Sequence, residues 1–399
     1  MTLKFEKSFT QQEPISEKAI ARVVEILRTG RLHRYNTTPG ETAEAALLEE
    51  DYARYQGSRH CLACASGGYA LHVAMRSAGL KPGDKVLANA WTLAPVPGAI
   101  HNAGGVPVFV EIDENWHIDP QDLQARAEAS GARFLMLSHM RGHIGDMEAI
   151  ANLCDRYGIT MIEDCAHTMG ARFKGRRSGR FGRVAAFSAQ TYKHLNSGEG
   201  GLLTTDDPDL AARAVVMSGS YMLYARHGAA PDEEVFRRIR LDTPNYSGRM
   251  DNVRAAILRV QLEGLDENIR RWNARWHILA QGLRPAGLDV PERAAHEDFV
   301  GSSIQFHARG IGDIPAFVAS CAARGVELKW FGADEPQGFT SRFDSWRYLG
   351  ETADLPRTRA VLATTLDMRV PLTFEEEDCR TIARIIAEEA ASHAGKARA

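Results

Sequence analysis

The chain has 399 residues, 44% of them hydrophobic, with 48 Lys and Arg against 51 Asp and Glu and a formal net charge of −3. That length supports one large and one smaller domain with a substantial core, and the near balance of charge argues against a nucleic-acid protein or a polybasic membrane anchor. The opening MTLKFEKSFT has no apolar signal core and no run approaches the roughly 18 apolar residues that span a bilayer, so a cytoplasmic location is expected.

In chain order, apolar periodicity predicts amphipathic helices over 15–29 and 42–56, ended by Gly30 and Gly57. Strands and helices then alternate. Strands are expected at 61–65, 85–89, 106–112, 133–138, 159–164, 184–187 and 202–205, with helices around 70–78, 121–129 and 147–157. This pattern predicts an α/β fold with a mostly parallel seven-stranded sheet covered by helices, and ligands at the carboxyl ends of the strands. A long helical stretch from Asp251 to about Leu283 leaves that layer. Beyond it a smaller α+β domain is expected, with strands near 302–308 and 326–330, a helix near 314–324 and a final helix after Thr373. The division is then a large domain over 1–270, including the N-terminal helices, and a small C-terminal domain over 271–399. The last residues, HAGKARA, read as a frayed tail.

The cysteines are Cys61, Cys64, Cys154, Cys165, Cys321 and Cys379. Only Cys61 and Cys64 form a CxxC pair. No second pair accompanies it and the segment reads as a core strand, so buried free thiols and no metal are expected.

The chemistry lies in IEDCAHTMGA (162–171) followed by FSAQTYKHLNSGEGG (187–201). Asp164 ends one strand, His167 follows three residues later, Ser188 opens the next loop, and Lys193 lies five beyond it. An isolated Asp or Lys is ordinary surface chemistry or a helix cap; this order is specific. It matches what a pyridoxal phosphate (PLP) site requires, a lysine amine to condense with the cofactor aldehyde and a carboxylate to keep the pyridine nitrogen protonated. Ser66-Gly67-Gly68-Tyr69, between a strand and a helix, can turn backbone N–H groups and a helix amino terminus toward an anion; the bland alternative is a tight turn.

These motifs resemble those of the DegT-type sugar aminotransferases, PLP-dependent transferases of fold type I. The matching residues are Glu163, Asp164, Ala166, His167, Phe187, Ser188, Lys193 and Gly198 to Gly201. Further matches are Ser66-Gly67, the PGD at 82–84, VPVFVEID at 106–113 and RMDNVRAAILRVQL from Arg249. The resemblance implies pyridoxal 5'-phosphate as cofactor, Lys193 as the Schiff-base and proton-transfer residue, and Asp164 at the pyridinium nitrogen. It places His167 near the ring oxygen or in support of Asp164, and Ser188 with the Gly67, Gly68 and Tyr69 amides at the phosphate.

Three departures leave alternatives open. Gly68 stands where the family usually has Thr or Ser, so one hydroxyl ligand is missing. The family's ring-stacking Trp or Phe falls on Leu93, while Trp91, two residues earlier on the same face of an extended strand, is the other candidate. Asn245-Tyr246-Ser247-Gly248-Arg249-Met250 replaces the family's Asn-Tyr-Arg-Met, so Ser247 or Asn245 takes the place of an Asn that reaches the neighbouring subunit's phosphate. The resemblance thus implies a homodimer with shared active sites.

The family's substrates are keto sugars, usually nucleotide-linked, or cyclitol ketones, with glutamate or glutamine as amino donor. The implied activity is a PLP-dependent aminotransferase of amino sugar biosynthesis, serving lipopolysaccharide or antibiotic sugars. Arg141, in His139-Met140-Arg141-Gly142, reads either as a surface ion pair or as a bidentate clamp for a carboxylate or phosphate. The second reading points to an acidic acceptor such as a keto-octulosonate. The alternatives are a PLP-dependent sugar dehydratase, in which histidine replaces the lysine, and a non-catalytic regulatory protein with this fold. Lys193 argues for transamination.

Overall fold

The computed structural model describes residues 3–350 and 353–394. Its strands, in chain order, are β1 (His60–Cys64), β2 (Lys85–Asn89), β3 (Val106–Val110), β4 (Phe134–Ser138), β5 (Thr160–Asp164), β6 (Arg172–Phe173) and β7 (Arg176–Arg177). They continue as β8 (Val184–Ser188), β9 (Gly201–Thr205), β10 (Glu297–Asp298), β11 (Ser303–His307), β12 (Lys329–Trp330) and β13 (Thr365–Arg369). Seven of them form one sheet in the order β1-β9-β8-β5-β4-β2-β3. From β8 to β3 every pairing is parallel, and β9 runs against both β8 and β1.

A parallel sheet is covered on both faces, so its strands are apolar runs, and β4 (FLMLS) and β8 (VAAFS) are buried at every position. Alternation divides each run between two cores. Phe134 and Met136 pack with the helices Gly67–Ser77, Pro95–Asn102 and Pro208–Met217, whereas Leu135 and Leu137 pack with Pro120–Ser130 and Met147–Tyr157. Asp119, Asp146 and Asp207 cap three of these helices by accepting first-turn N–H groups. The helices Pro95–Asn102, Pro208–Met217 and Glu233–Ile239 were not expected from periodicity. The first, PVPGAIHN, is short and carries two prolines and a glycine, which mask a helical pattern.

The expected long helix from Asp251 to Leu283 is two, Asn252–Leu262 and Leu265–Leu283. Asp251 is the N-cap of the first, and Gly264 leaves helical geometry between them (φ −101°, ψ 2°), a conformation glycine adopts easily.

The smaller sheet has the order β11-β13-β12. Its central strand, TLDMR at 365–369, was not anticipated, and the strand expected over 326–330 is confined to Lys329–Trp330. Leu366 and Met368 join Ile304, Phe306, Trp276 and Ile382 in a separate core. The boundary expected at 270 falls inside Leu265–Leu283, and the start of the chain packs with this second core: the rings of Phe5 and Phe9 lie 5.0 Å from that of Phe374. The opposite face of the small sheet is polar and turned toward the large one. There Thr365 Oγ1 accepts from Trp116 Nε1 (2.9 Å), and Gln305 Oε1 lies 2.8 Å from His143 Nε2.

All six cysteines are free and buried. No helix among the described residues is long and apolar enough to cross a membrane. Residues 395–399 of the expected frayed tail lie outside the described residues.

Candidate active site

Because β9 runs against both β1 and β8, those two run the same way, and the carboxyl ends of β1, β2, β4, β5 and β8 share one edge of the sheet. Ligands of open α/β sheets bind at such an edge. Cys64 and Ser188 are both in register with Gly201, which draws the Ser66-Gly67 turn onto Ser188. A Cβ on Gly67 would lie 2.7 Å from Ser188 Cβ, and one on Gly201 would strike the Ser66 carbonyl. Close approach therefore requires glycine at both positions. Around Gly68 nothing lies within 4 Å of an added Cβ, so the turn opens there into free space.

Ser66 caps the helix Gly67–Ser77: its Oγ accepts from Tyr69 N (3.1 Å) and its carbonyl from Ala70 N. The Tyr69 amide, expected at the phosphate, is engaged by this cap. The Gly67 and Gly68 amides remain at the positive end of the helix, facing an anion position. Ser188 Oγ accepts from Gln190 N (3.3 Å), which leaves its hydroxyl proton to donate.

Asp164 sits opposite Ser138 in the β4–β5 ladder. Ser138 Oγ donates to Asp164 Oδ2 (2.8 Å), Thr92 Oγ1 donates to Ser138 Oγ (2.8 Å), and Ala166 N donates to Asp164 Oδ1 (3.1 Å). Asn89, at the end of β2, holds the Ser138 backbone through both its N–H and its carbonyl. Glu163 points to the other face of the strand, as successive residues must. It accepts from the Gly179 and Phe181 amides (2.9 and 2.7 Å) and lies 3.0 Å from His139 Nε2. Burial opposes its ionisation, but these hydrogen bonds, led by His139, hold its carboxyl below the usual range. His139, Glu163 and Cys165 bring ligand-type atoms together, yet both Glu163 oxygens are taken up in bracing the turn at 179–182.

Lys193 Nζ lies 2.7 Å from His167 Nε2, and His167 Nδ1 accepts from the Arg141 amide (3.3 Å). A neutral imidazole carries one N–H, so an accepting Nδ1 assigns the proton to Nε2, which donates to an unprotonated lysine amine. The electrostatics agree. Burial, then the charge of Arg141, pull Lys193 down to about 7 against the opposing pull of Asp164, and Arg369 adds to the fall. Burial, followed by the charges of Lys193 and Arg141, holds His167 well below its ordinary range.

Arg141 adopts a left-handed backbone (φ 54°) and is only 9% exposed. It is not a surface arginine. Its Nη2 lies 2.9 Å from Asp367 Oδ2 on β13, and its guanidinium stands 4.3 Å from the Phe339 ring centroid. Trp91 is 1% exposed and packs into an aromatic cluster with Trp116 and Phe331 (5.6 Å), while Leu93 is half-buried at the edge of that cluster. Of the two expected ring covers, Trp91 is thus fully buried and Leu93 only in part. Asn245 and Ser247 are exposed, on a loop tied to the phosphate turn by Ala65 N donating to the Gly248 carbonyl (2.8 Å). Ser247 Oγ accepts from Arg249 Nη2 (3.0 Å).

Sequence reading missed Ser138, Tyr192, Phe339, Asp367 and Arg369. Asp367 and Arg369 carried a faint signal in the polar alternation of TLDMR; the others had none, since nothing local marks them.

The profile of the DegT/DnrJ/EryC1/StrS aminotransferase family matches residues 13–387. The chain is 35% identical over 229 residues to a pleiotropic regulatory protein of Geobacillus stearothermophilus and 34% identical over 223 residues to the GDP-perosamine synthase of Caulobacter vibrioides. These alignments cover 56% of this chain, and 56% and 57% of those proteins, so the chain matches little more than half of their length. A dTDP-3-amino-3,4,6-trideoxy-alpha-D-glucose transaminase of Streptomyces venezuelae is 33% identical over 72% of this chain and 71% of its own. Among solved structures, the aminotransferase TlmJ from Streptoalloteichus hindustanus shares the fold, with a TM-score of 0.80 over 96% of this chain and 98% of that one at 23% identity. The S. venezuelae DesV structure, in complex with a ketimine intermediate, gives a TM-score of 0.77 at 27% identity over 93% and 94% of the two chains.

Proposed function

The chain belongs to the DegT/DnrJ/EryC1/StrS aminotransferase family, and from that premise we propose that it is a PLP-dependent aminotransferase moving an amino group from glutamate or glutamine to a keto sugar. The observation that carries this reading is a lysine amine held near neutrality within one strand-end cluster that also holds a braced carboxylate. The residues fit the cofactor. Gly67 and Gly68 amides and the Ser188 hydroxyl would hold the phosphate, Asp164 the protonated ring nitrogen, Leu93 one ring face, and Lys193 the aldehyde carbon.

Bound PLP supplies an electron sink that stabilises negative charge at the substrate carbon bearing the nitrogen. Lys193 Nζ, whose amine is held down to about 7 and is therefore available in its free form near neutrality, takes a proton from that carbon and returns one on the other side of the transfer. His167 Nε2 aims the amine through its hydrogen bond, and the Arg141 amide fixes the imidazole that does so. Ser138 and Ala166 donate to both Asp164 oxygens, which orients the carboxylate. The keto sugar class follows from the relatives, one a dTDP-sugar transaminase and another an aminotransferase named for 2-deoxy-scyllo-inosose.

Exposure of Asn245 and Ser247 beside the phosphate turn supports a homodimer in which one of them reaches the partner's cofactor phosphate. A mixed dimer of a Lys193→Ala chain and a chain substituted at both Asn245 and Ser247 should then regain activity at one of its two sites. In the same reading, the large domain ends near 270 and the small one takes in the chain's first residues along with 271–399.

The relative named as a pleiotropic regulatory protein favours a second, regulatory reading. Reconstitution with PLP decides between them. Glutamate or glutamine with nucleotide-linked and free keto sugars should give amino sugars detectable by mass spectrometry, and Lys193→Ala should give none. PLP binding without amino transfer from either donor to any of these acceptors would refute the proposal.

A further inference from the structure

We propose that Arg141 and Arg369 together bind a substrate carboxylate beside Lys193, and that Asp367 occupies Arg141 until that carboxylate displaces it. This rests on the aminotransferase reading and names the ligand chemistry of the same site.

Residues two apart on a strand share a face, so β13 presents Asp367 and Arg369 together on the polar side of the small sheet. In the antiparallel ladder they stand opposite Gln305 and Ser303 of β11. The Arg369 side chain makes no hydrogen bond and no ion pair among the described residues. Its guanidinium lies 3.7 Å from the centroid of Tyr192, the residue before Lys193, and 5.3 Å from that of Phe339. Its Nε is buried without a partner. Arg141 lies 4.3 Å from the same Phe339 ring, and its Nε is likewise buried and unpartnered.

Two guanidinium groups thus approach one aromatic ring, and the Asp367 carboxylate pairs with only one of them. Asp367 pairs with Arg141 (2.9 Å) while its Oδ1 accepts from Gln305 Nε2 (2.7 Å). Asp367 is paired with Arg141, so the positive charge of the half-buried Arg369 is unmatched in this cluster. Both arginines act electrostatically on Lys193 and His167, which places them around the reacting amine.

The planar fork of a guanidinium fits a carboxylate by two parallel hydrogen bonds, and stacking on an aromatic ring leaves its edge free to make them. A carboxylate suits this position better than a nucleotide diphosphate. In an amino acid the carboxylate is attached to the carbon that loses its proton, whereas the diphosphate of a sugar nucleotide is several bonds from any keto carbon. The carboxylate comes from the amino donor or from an acidic keto sugar, and the arms of the test separate the two.

The PLP-loaded protein is titrated calorimetrically with maleate, a dicarboxylate with no amino group. Arg369→Gln should weaken binding by about tenfold to a hundredfold, the effect of losing hydrogen bonds to a charged group. Arg369→Lys should fall between, and Asp367→Asn should tighten binding by freeing Arg141. Melting curves confirm that each variant is folded. No maleate binding by the parent protein, equal affinity in Arg369→Gln, or weaker affinity in Asp367→Asn would each overturn the proposal.

Single-turnover changes in bound-cofactor absorbance then identify the source. Slowing by Arg369→Gln confined to the glutamate half-reaction assigns the carboxylate to the donor. Slowing confined to a keto-gluconate, with the neutral keto sugar L-sorbose unaffected, assigns it to the acceptor. If no donor alters the bound cofactor, the aminotransferase reading fails, while the maleate titration still reports on the arginine pair.

Discussion

Gly67→Ala tests the phosphate turn without removing any charged or hydrogen-bonding side chain. The new Cβ would lie 2.7 Å from Ser188 Cβ, 3.1 Å from Ser188 Oγ and 3.2 Å from Ser188 Cα, against a comfortable separation of about 3.5–4.0 Å between carbon atoms. Ser188 ends a strand buried at every position and cannot retreat, so the turn must shift. Overpacking of this kind costs about 1–3 kcal/mol. With an unfolding entropy of about 2.1 cal/mol/K per residue over 399 residues, Tm falls by only about 1–4 °C. Cofactor binding suffers more. Displacing one amide from a phosphate oxygen loses a hydrogen bond to a charged group, and PLP affinity drops by about tenfold to a hundredfold. Gly68→Ala is the control, because nothing lies within 4 Å of its added Cβ; it should bind PLP like the parent, and Gly68→Ser should bind at least as well. Fluorescence titration of PLP into cofactor-free protein reads the constants. Equal affinity in Gly67→Ala and the parent, or equal damage from both alanines, would refute the reasoning.

Three further outcomes follow from the same geometry. Lys193 reacts with PLP only as the free amine, so the rate of Schiff-base formation by cofactor-free protein should rise with pH and level off above about 7, whereas an ordinary lysine would level off only near 10.5. Arg369→Gln should move that plateau to higher pH by removing a neighbouring positive charge; a rate in the parent still climbing at about pH 9 would contradict the depressed amine. Ser138→Ala removes a hydrogen bond to charged Asp164 worth about 1.5–3 kcal/mol and should slow amino transfer by roughly tenfold or more, while Asp164→Asn removes the charge and should slow it further. Steady-state rates matching the parent in both would displace Asp164 from the ring nitrogen, and Glu163, engaged on the other face of β5, offers no substitute. Trp91→Ala should lower stability by about 3–5 kcal/mol, and Leu93→Ala should leave folding nearly intact while weakening PLP binding. The reverse pattern in melting and titration would return the ring cover to Trp91.

The amino-acid sequence determined on its own the parts of this protein that depend on local order. Short apolar runs separated by helical patterns specify a covered, mostly parallel sheet, and all seven of its strands were legible, because burial on both faces forces near-continuous apolar composition. Asp164 and Ser188 fall at strand ends, as alternating apolar runs predict, whereas His167 and Lys193 were singled out by their place in the motif and its resemblance to the family. What tertiary structure decided are the relations between distant segments. Trp91 and Leu93 both lie in the loop after β2, and only the packing of Trp116 and Phe331 buries Trp91 while Leu93 stays half-buried. Tyr69 keeps its place in the turn yet gives its amide to the Ser66 cap, a choice made by side-chain rotamer rather than by sequence pattern. Arg141 and Arg369 are separated by most of the small domain, and it is the docking of β13's polar face against the large sheet that brings both guanidinium groups to one ring beside Lys193. Periodicity records which face of an element is apolar; it carries no record of which element that face will meet, and the chemistry of this site is set by those meetings.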